Sequence, residues 1–169
     1  MSIDDDIARH VRAFRRITKL ALEDMFACGA KFAEDDGDPF ESMYLTEMPF
    51  SVRIQFTGVG DGMLTTGEYI LATDERVAAA CCAVATPDAT SAVVASCRED
   101  FSSAFSELLN GVVGEAVTSL DELGIVKFGT PRVSYGKMSY GGLEIRRAAL
   151  GTTAGRIECL FCYDRVLLD

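Results

Sequence analysis

The chain has 169 residues, of which 49% are hydrophobic and 25% charged, and its formal net charge is −10. This composition suits one globular domain with a sizeable core. The acidic balance disfavours nucleic acid as a partner, because a negative surface repels phosphate groups. No apolar run reaches the ~18 residues of a membrane span. The N-terminal stretch MSIDDDIARH lacks the apolar region of a signal peptide, so we expect a cytoplasmic protein.

The first predicted element is a helix from Ile3 to about Ala30. Apolar residues recur along it at helical spacing and mark a core-facing side; they are Ile7, Val11, Phe14, Ala21 and Met25. The polar side carries a basic stripe of Arg12, Arg15, Arg16 and Lys19. We interpret this stripe as a solvated face beside acidic neighbours, with a contact to an acidic partner as the alternative. His10, the only histidine, is expected at the surface.

A loop, a hairpin and a short helix are predicted next. Residues 33–50 are polar and contain Gly and Pro, which predicts a connecting loop with room for a short strand. Ser51–Thr57 and Met63–Ala72 are predicted strands joined by a glycine-rich turn. Thr73 and Asp74 then suit the cap of a short helix that runs to about Ala85.

A long amphipathic helix is predicted over Ser96–Leu123. Its apolar positions follow the helical period; they are Phe101, Phe105, Leu108, Val112, Ala116 and Leu120. Ser96 and Glu99 form a Ser-x-x-Glu start signal. Gly124 suits a C-terminal stop.

Three further strands are predicted after this helix: Arg132–Lys137, Leu143–Leu150 and Arg156–Leu167. The order of elements predicts an α+β fold, a two-layer sandwich in which a mostly antiparallel sheet carries helices on one face. No linker divides the chain, so residues 1–169 are taken as a single domain.

The six cysteines are expected to be free and buried. Only Cys159 and Cys162 have the spacing of a metal or redox pair. They lie in a predicted strand, where residues three apart point to opposite faces. No second pair completes a four-ligand zinc site. We therefore assign these thiols a structural role and predict no metal site.

The long helix carries polar residues opposite its apolar side. At about 100° per residue, Ser103, Glu107, Asn110 and Gly114 fall within an arc of roughly 60°. A carboxylate and a carboxamide three residues apart are neighbours on a helix surface. A glycine in a helix is unfavourable, but it lets another backbone approach closely. A solvated face with a glycine that packs against the chain itself is the simpler explanation of this pattern.

The spacing Ser103-x-x-x-Glu107-x-x-Asn110-x-x-x-Gly114 resembles the signature helix of the CheC/CheX/FliY chemotaxis phosphatases. Two flanking stretches resemble the family as well. VRIQFTGVGDGMLTTGEYILATDERVAAACC is similar to its hairpin and following helix, and LGIVKFGTPRVSYG is similar to the run after the signature helix. The resemblance covers roughly residues 50–165.

This resemblance implies a protein that docks a phosphorylated CheY-like receiver domain and hydrolyses its aspartyl phosphate, a phospho-aspartate phosphatase. Asn110 would orient the attacking water, and Glu107 would pair with the active-site lysine of the receiver. Ser103 and Gly114 match positions that would serve docking. No cofactor is implied for this chain, because the Mg²⁺ belongs to the receiver.

The first helix lacks a second copy of this motif. LEDMFACGA places Phe26 three residues after Glu23, where an asparagine would be needed. A single site per chain is similar to the CheX-type arrangement, whose members are homodimers joined at their sheet edges. The apolar segment Ile157–Leu168 is the expected joining edge, because an exposed apolar edge strand needs to be covered. A central position within one subunit is the alternative for this segment.

Two other functions stay open at this point. The same helix face suits a non-catalytic module that binds a receiver domain as a signalling adaptor. A small structural or ligand-binding domain also fits the acidic composition, although no motif in the sequence supports it.

Overall fold

The computed structural model describes residues 3–26, 30–32, 40–46, 48–60, 62–119 and 125–168. Its α-helices are α1 (Ile3–Phe26), α2 (Glu75–Cys81), α3 (Ser91–Ser96) and α4 (Arg98–Ala116), and a 3₁₀ turn follows at Val117–Ser119. Its strands are β1 (Ala30–Phe32), β2 (Phe40–Thr46), β3 (Phe50–Gly60), β4 (Met63–Thr73), β5 (Ile125–Phe128), β6 (Arg132–Tyr135), β7 (Met138–Thr152) and β8 (Arg156–Leu167).

The described strands form one sheet in the order β1-β7-β8-β4-β3-β5, and every neighbouring pair is antiparallel. Two long hairpins, β3–β4 and β7–β8, make its centre through the pairing of β4 with β8. Two short strands share each outer position: β1 and β2 both pair with β7, whereas β5 and β6 both pair with β3. These four short strands are therefore the outer strands of the described sheet.

The two long helices pack against each other on one face of the sheet. Phe26 stacks on Phe105 at 5.4 Å between ring centroids, and His10 bonds to the backbone of Ala116, so α1 and α4 run antiparallel. Alternate residues of the central strands point into this layer because side chains alternate along a strand. They include Val52, Ile54, Phe56, Tyr69, Leu71, Cys159 and Phe161. The main core thus lies between the sheet and the α1–α4 pair.

The opposite face of the sheet has a smaller core of its own. Ile70, Ala72, Ile145, Leu160 and Cys162 are buried there. Three partly buried side chains pack against them: Met48, Met138 and Leu143. The predicted α+β fold, with an antiparallel sheet and its helices on one face, is confirmed.

Several elements have boundaries that differ from the predicted ones. The first helix ends at Phe26 in the described chain, whereas the prediction extended it to about Ala30. By contrast, β8 has the predicted bounds Arg156–Leu167. Within the predicted loop, residues 33–39 and 47 lie outside the described residues, whereas Phe40–Thr46 forms a full strand along β7. The helix that starts at Glu75 ends at Cys81 rather than near Ala85, and a second short helix, α3, was not predicted.

The expectation that Ile157–Leu168 forms an exposed joining edge is wrong. β8 pairs with β4 over Ile157–Leu167 and with β7 over Arg156–Tyr163. Over Ile157–Tyr163 it is therefore paired on two sides in one subunit, which is the central position that the sequence left as the alternative. This part of the strand is apolar because it is buried on both faces, whereas Val166 and Leu167 at its end and the following Leu168 are exposed.

The surface of α1 matches its predicted amphipathic pattern in part. Arg12 and Arg16 are exposed, and Lys19 forms an ion pair with Glu23 at 3.1 Å, as a solvated face requires. Met25, which was assigned to the apolar stripe, is 49% exposed. Among the described residues, none of the helices is both long and apolar enough to cross a membrane.

Candidate functional site

The helix that carries the polar motif begins at Arg98, two residues later than predicted. Ser96 does not cap it, because its hydroxyl donates to the carbonyl of Val93 at 2.6 Å and closes the last turn of α3. Cys97 occupies the cap position, but its thiol donates to the Val84 carbonyl at 3.5 Å and does not cap the helix. The carboxylates of Glu99 and Asp100 in the first turn interact favourably with the positive end of the helix dipole. The α-helix ends at Ala116, and residues 120–124, where the predicted stop lies, are outside the described chain.

The apolar side of α4 is fixed against the sheet by aromatic side chains. Phe101, Phe105, Leu108 and Val112 are each at most 1% exposed. The ring of Phe50, at the start of β3, meets Phe101 and Phe105 edge-on at 5.0 and 5.6 Å. Such edge-to-face pairs add to the burial energy and restrict rotation of the helix about its axis. The predicted burial of this stripe is confirmed.

The opposite side of α4 presents the four motif residues to solvent. Ser103, Glu107, Asn110 and Gly114 are all exposed. Within the described chain, the side chains of Ser103, Glu107 and Asn110 take part in no hydrogen bond or ion pair. Their donors and acceptors are therefore available to another molecule. The predicted exposure of Glu107 and Asn110 is confirmed.

Gly114 does not serve packing within the chain. A Cβ atom added at Gly114 would meet no described atom within 4 Å, and the same holds for Gly111. The explanation of Gly114 as an internal packing glycine is therefore wrong for the described structure. Together the two glycines leave bare helix backbone beside Asn110.

The chemistry available on this face is limited to hydrogen bonding and charge. The groups are one carboxylate, one carboxamide and one hydroxyl, and the described residues include no cluster of three or more His, Cys, Asp or Glu placed to hold a metal ion. Within the described residues no base is bonded to the Ser103 hydroxyl to activate it as a nucleophile, so these groups are suited to positioning a water molecule and a charged partner.

His10 was expected at the surface, and this prediction is wrong. Its ring is fully buried, its Nε2 lies 2.6 Å from the Tyr69 hydroxyl, and it meets Phe161 edge-on at 5.1 Å. Burial lowers the pKa of His10 from 6.5 to about 4, and the bond to the Ala116 backbone opposes this shift. The side chain thus joins α1 to the sheet and to the end of α4, away from solvent.

On α1, the residues at the positions that a second motif would use are engaged in other contacts within the chain. Glu23 is engaged by Lys19, and the Phe26 ring stacks on Phe105. No carboxamide is available there, so within the described residues the motif occurs on α4 alone.

The pair Cys159 and Cys162 is divided by the sheet, as predicted. Cys159 belongs to the core under the helices and Cys162 to the smaller core on the other face. Burial raises the pKa of the Cys162 thiol to about 12, with a smaller contribution from the charge of Glu68. Both side chains therefore act as small apolar residues.

A polar cluster beside the motif face was missed by the sequence analysis. Tyr135, the last residue of β6, is 45% exposed, and its hydroxyl bonds to the Ser102 hydroxyl on α4. The guanidinium of Arg98 lies 4.9 Å from the centre of the Tyr135 ring and is held by Glu75 of α2. Nothing in the local spacing indicates these contacts, because they join segments 23 to 37 residues apart.

Solved structures of chemotaxis proteins share this fold. CheX from Desulfovibrio desulfuricans is 16% identical, with a TM-score of 0.68 over 92% of this chain and 99% of that one. A CheC-like superfamily protein from Shewanella sp. PV-4 is 18% identical, with a TM-score of 0.70 over 97% and 99%. CheX from Borrelia burgdorferi, solved as a CheX–CheY–BeF3–Mg²⁺ complex, is 17% identical, with a TM-score of 0.62 over 91% and 97%.

No protein-family model matches the sequence, and no curated protein matches it. At these identities the structural likeness establishes the fold, which is that of CheX and CheC-like chemotaxis proteins. The fold implied by the motif on α4 is thereby confirmed.

Proposed function

We propose that this protein docks a phosphorylated CheY-like receiver domain through the exposed face of α4 and hydrolyses its aspartyl phosphate. The observation that carries the proposal is the unpartnered pair Glu107 and Asn110, presented to solvent on a helix whose other side is locked into the core. The CheX of Borrelia burgdorferi, which has this fold, was solved together with CheY. We also propose that the reaction takes place in the cytoplasm.

In the proposed reaction the carboxamide of Asn110 holds a water molecule in line with the phosphorus–oxygen bond of the phospho-aspartate. The bond from that water to phosphorus forms while the bond to the aspartyl oxygen breaks. Phosphoryl transfer depends on positioning and charge stabilisation more than on covalent help, so one well-placed amide is a sufficient contribution from this chain. The Mg²⁺ that stabilises the phosphoryl oxygens is part of the receiver.

Glu107 has a different task in this proposal. Its carboxylate would pair with the active-site lysine of the receiver and orient the docked complex. Asn110 and Glu107 are three residues apart on one face, so both reach the same partner surface. Ser103 lies one turn before Glu107 and Gly114 one turn beyond Asn110, where they border the contact.

Bare backbone beside Asn110 supports close docking. Gly111 and Gly114 are exposed and have open space in place of a side chain. A loop or helix of the receiver approaches such a surface more closely than it approaches a helix that carries side chains. Insertion of the Asn110 carboxamide into a recessed active site requires this close approach.

The test is turnover of a phosphorylated receiver domain by a substoichiometric amount of this protein in the presence of Mg²⁺. Asn110→Ala should remove most of the acceleration, roughly 10- to 100-fold, because positioning of the nucleophile is lost. Its stability should change by less than ~0.5 kcal/mol, because the residue is exposed and unbonded.

Gln55 offers a matched control for Asn110. The chain contains one asparagine and one glutamine, so these two residues are its only carboxamide side chains. Gln55 lies between two core residues of β3, Ile54 and Phe56, and therefore points to the sheet face opposite α4. Gln55→Ala should keep full turnover. An Asn110→Ala protein as active as the parent would exclude the proposed mechanism, and tight receiver binding without any turnover would favour the adaptor function.

The proposal includes a homodimer that forms through sheet edges, as in the CheX-type arrangement that the motif resembles. β8 is paired on both sides over Ile157–Tyr163, so we place the joining strand at an outer position, the β1–β2 edge or the β5–β6 edge. Light scattering should give ~37 kDa, twice the 18.3 kDa of one chain. A monomer mass at concentrations well above micromolar would exclude the dimer.

A further inference from the structure

The start of α4 is tied to its surroundings by polar contacts that its apolar side does not explain. Tyr135 ends β6 and lies opposite Phe50 of β3, whose ring packs on Phe101 and Phe105. From this edge of the sheet the Tyr135 side chain reaches back over the first turns of α4. The residue that follows, Gly136, has a positive φ of 103° and bonds through its N–H to the Pro49 carbonyl at 2.6 Å, so the strand turns away directly after Tyr135.

Four contacts join Tyr135 and Arg98 to three elements. The Tyr135 hydroxyl bonds to the Ser102 hydroxyl and donates to the backbone carbonyl of Arg98 at 3.4 Å. The Arg98 guanidinium carbon lies 4.9 Å from the centre of the Tyr135 ring. The same guanidinium donates two hydrogen bonds to the Glu75 carboxylate, from Nε at 2.7 Å and from a second nitrogen at 3.0 Å. A forked arginine–carboxylate contact is directional. The first turn of α4 is thus held to β6 and α2 at once.

These contacts bear on the motif because of where Ser102 stands. It directly precedes Ser103, and Asn110 lies eight residues further along the same continuous helix, about 12 Å at ~1.5 Å per residue. The aromatic pairs under α4 already restrict its rotation. The hydrogen bonds to Tyr135 add a directional constraint on the rotation and the axial position of the helix relative to the sheet edge. A displacement of about 1 Å at a reacting group is enough to lower a rate strongly.

We propose that Tyr135 is a positioning residue for the motif on α4: through its hydroxyl bond to Ser102, it sets the orientation in which Glu107 and Asn110 meet the receiver. This inference rests on the proposed phosphatase function. Tyr135 itself does not contact the reacting atoms. Its ring and the Arg98–Glu75 pair support the bond by holding the hydroxyl over the helix.

The test compares Tyr135→Phe, Ser102→Ala and the double variant in steady-state turnover of a phosphorylated receiver. Tyr135→Phe keeps the ring and removes only the hydroxyl. We expect a kcat lower by roughly 3- to 10-fold, with KM within about twofold of the parent, because the docking groups remain and their alignment suffers. The double variant should be no slower than the slower single variant, since both remove the same bond.

Two results would overturn the proposal. One is that Tyr135→Phe leaves both kcat and KM unchanged. The other is that it raises KM and leaves kcat unchanged, which would make Tyr135 a direct docking contact. Thr118→Val is the matched control: it removes a hydroxyl at the other end of the helix region, where Thr118 bonds to the Glu115 carbonyl at 2.7 Å. Its kcat should stay within twofold of the parent.

Hydrogen exchange separates this inference from the proposed function. Tyr135→Phe should weaken protection of the amides of residues 102–106, near the start of α4, and Thr118→Val should not. A parent protein without phosphatase activity would refute the proposed function, yet this exchange result would still decide whether Tyr135 holds the helix. Unchanged protection in Tyr135→Phe would refute the positioning role even if the parent is active.

Discussion

The two long helices, α1 and α4, lie side by side on the same sheet face, but Glu23 on α1 and the motif residues on α4 differ in their partners. On α1 the buried His10 is bonded to Tyr69, and Glu23 is paired with Lys19. On α4 the side chains of Glu107 and Asn110 have no partner in the described chain. Buried polar groups are usually bonded, and His10 follows this rule. The exposed Arg12 and Arg16 of α1 have no partner in the described chain either, so what distinguishes α4 is a carboxylate and a carboxamide that are both unpaired on one face.

The two helices also differ in glycine content, which affects the intrinsic stability of each helix. α4 carries Gly111 and Gly114 in its interior, each of which lowers helix stability by about 1 kcal/mol relative to alanine. α1 has no glycine among its 24 residues. Neither glycine on α4 is required by packing, because open space surrounds both. The loss of helix stability is concentrated where the proposed docking face lies.

The largest expected effect concerns α1 and the response of its buried histidine to pH. The folded-state pKa of His10 is lowered by burial to about 4, against 6.5 for the free side chain. Between these values the unfolded chain binds a proton that the folded chain excludes, so His10 favours folding above pH ~6.5 and loses this contribution as pH falls towards 4. The loss approaches about 3 kcal/mol at ~1.4 kcal/mol per pKa unit.

Two measurements check this prediction. Because the chain has one histidine, a single imidazole resonance reports its titration. That resonance should titrate near pH 4 in the folded protein, and a midpoint near 6.5 would show that the ring is not buried. In chemical denaturation, a His10→Gln variant should lose less stability than the parent between pH 6.5 and pH 4.5, since the variant differs from the parent only in the imidazole.

The patterns that were predicted correctly are local ones. The buried and exposed sides of α4 follow from helical spacing within about 19 residues, and the bounds of β8 follow from one apolar run between Gly155 and the end of the chain. The position of β8 inside the sheet was beyond that reasoning. An apolar run has the same pattern in an edge strand and in a central strand. The difference depends on β4, which pairs with β8 from a distant part of the chain on the side opposite its hairpin partner β7.

The sequence did not predict the position of a side chain where that position depends on a residue far away in the chain. His10 is polar and sits beside arginines in sequence, which favours a surface position; its burial depends on the Tyr69 hydroxyl, 59 residues away. Tyr135 looked like an ordinary strand residue, because its contacts with Ser102 and Arg98 exist only once β6 pairs with β3. The motif itself could be recognised, because Ser103, Glu107, Asn110 and Gly114 share one face of one helix.

A matched pair of charge-neutralising variants tests the contrast between the helices. Glu107→Gln should raise KM for the phosphorylated receiver by roughly 3- to 10-fold, because a charge pair at an interface is lost, and leave stability unchanged. Glu23→Gln should do the reverse, with unchanged turnover and a loss of about 0.3–0.5 kcal/mol of stability from the broken Lys19 pair.

The salt dependence of KM gives this comparison a second readout. In the parent, added salt should weaken docking as it screens the Glu107 contact, and the slope should be shallower in Glu107→Gln. Equal slopes in the two proteins would mean that Glu107 faces no cation on the receiver. A rise in KM for Glu23→Gln would place α1 in the docking surface and erase the distinction between the helices.

A further expected effect is a gain in stability from the glycines. Gly111→Ala and Gly114→Ala each add a methyl group in open space on a helix, so each should stabilise the fold by about 0.5–1 kcal/mol in chemical denaturation. Docking should respond differently, because a side chain at Gly114 stands where the receiver has to come close. Gly114→Ala should therefore raise KM while it raises stability, and Gly114→Leu should raise KM further at similar stability. A stabilised Gly114→Leu protein with the KM of the parent would show that no partner approaches this part of α4, and the reason for its bare backbone would have to be sought elsewhere.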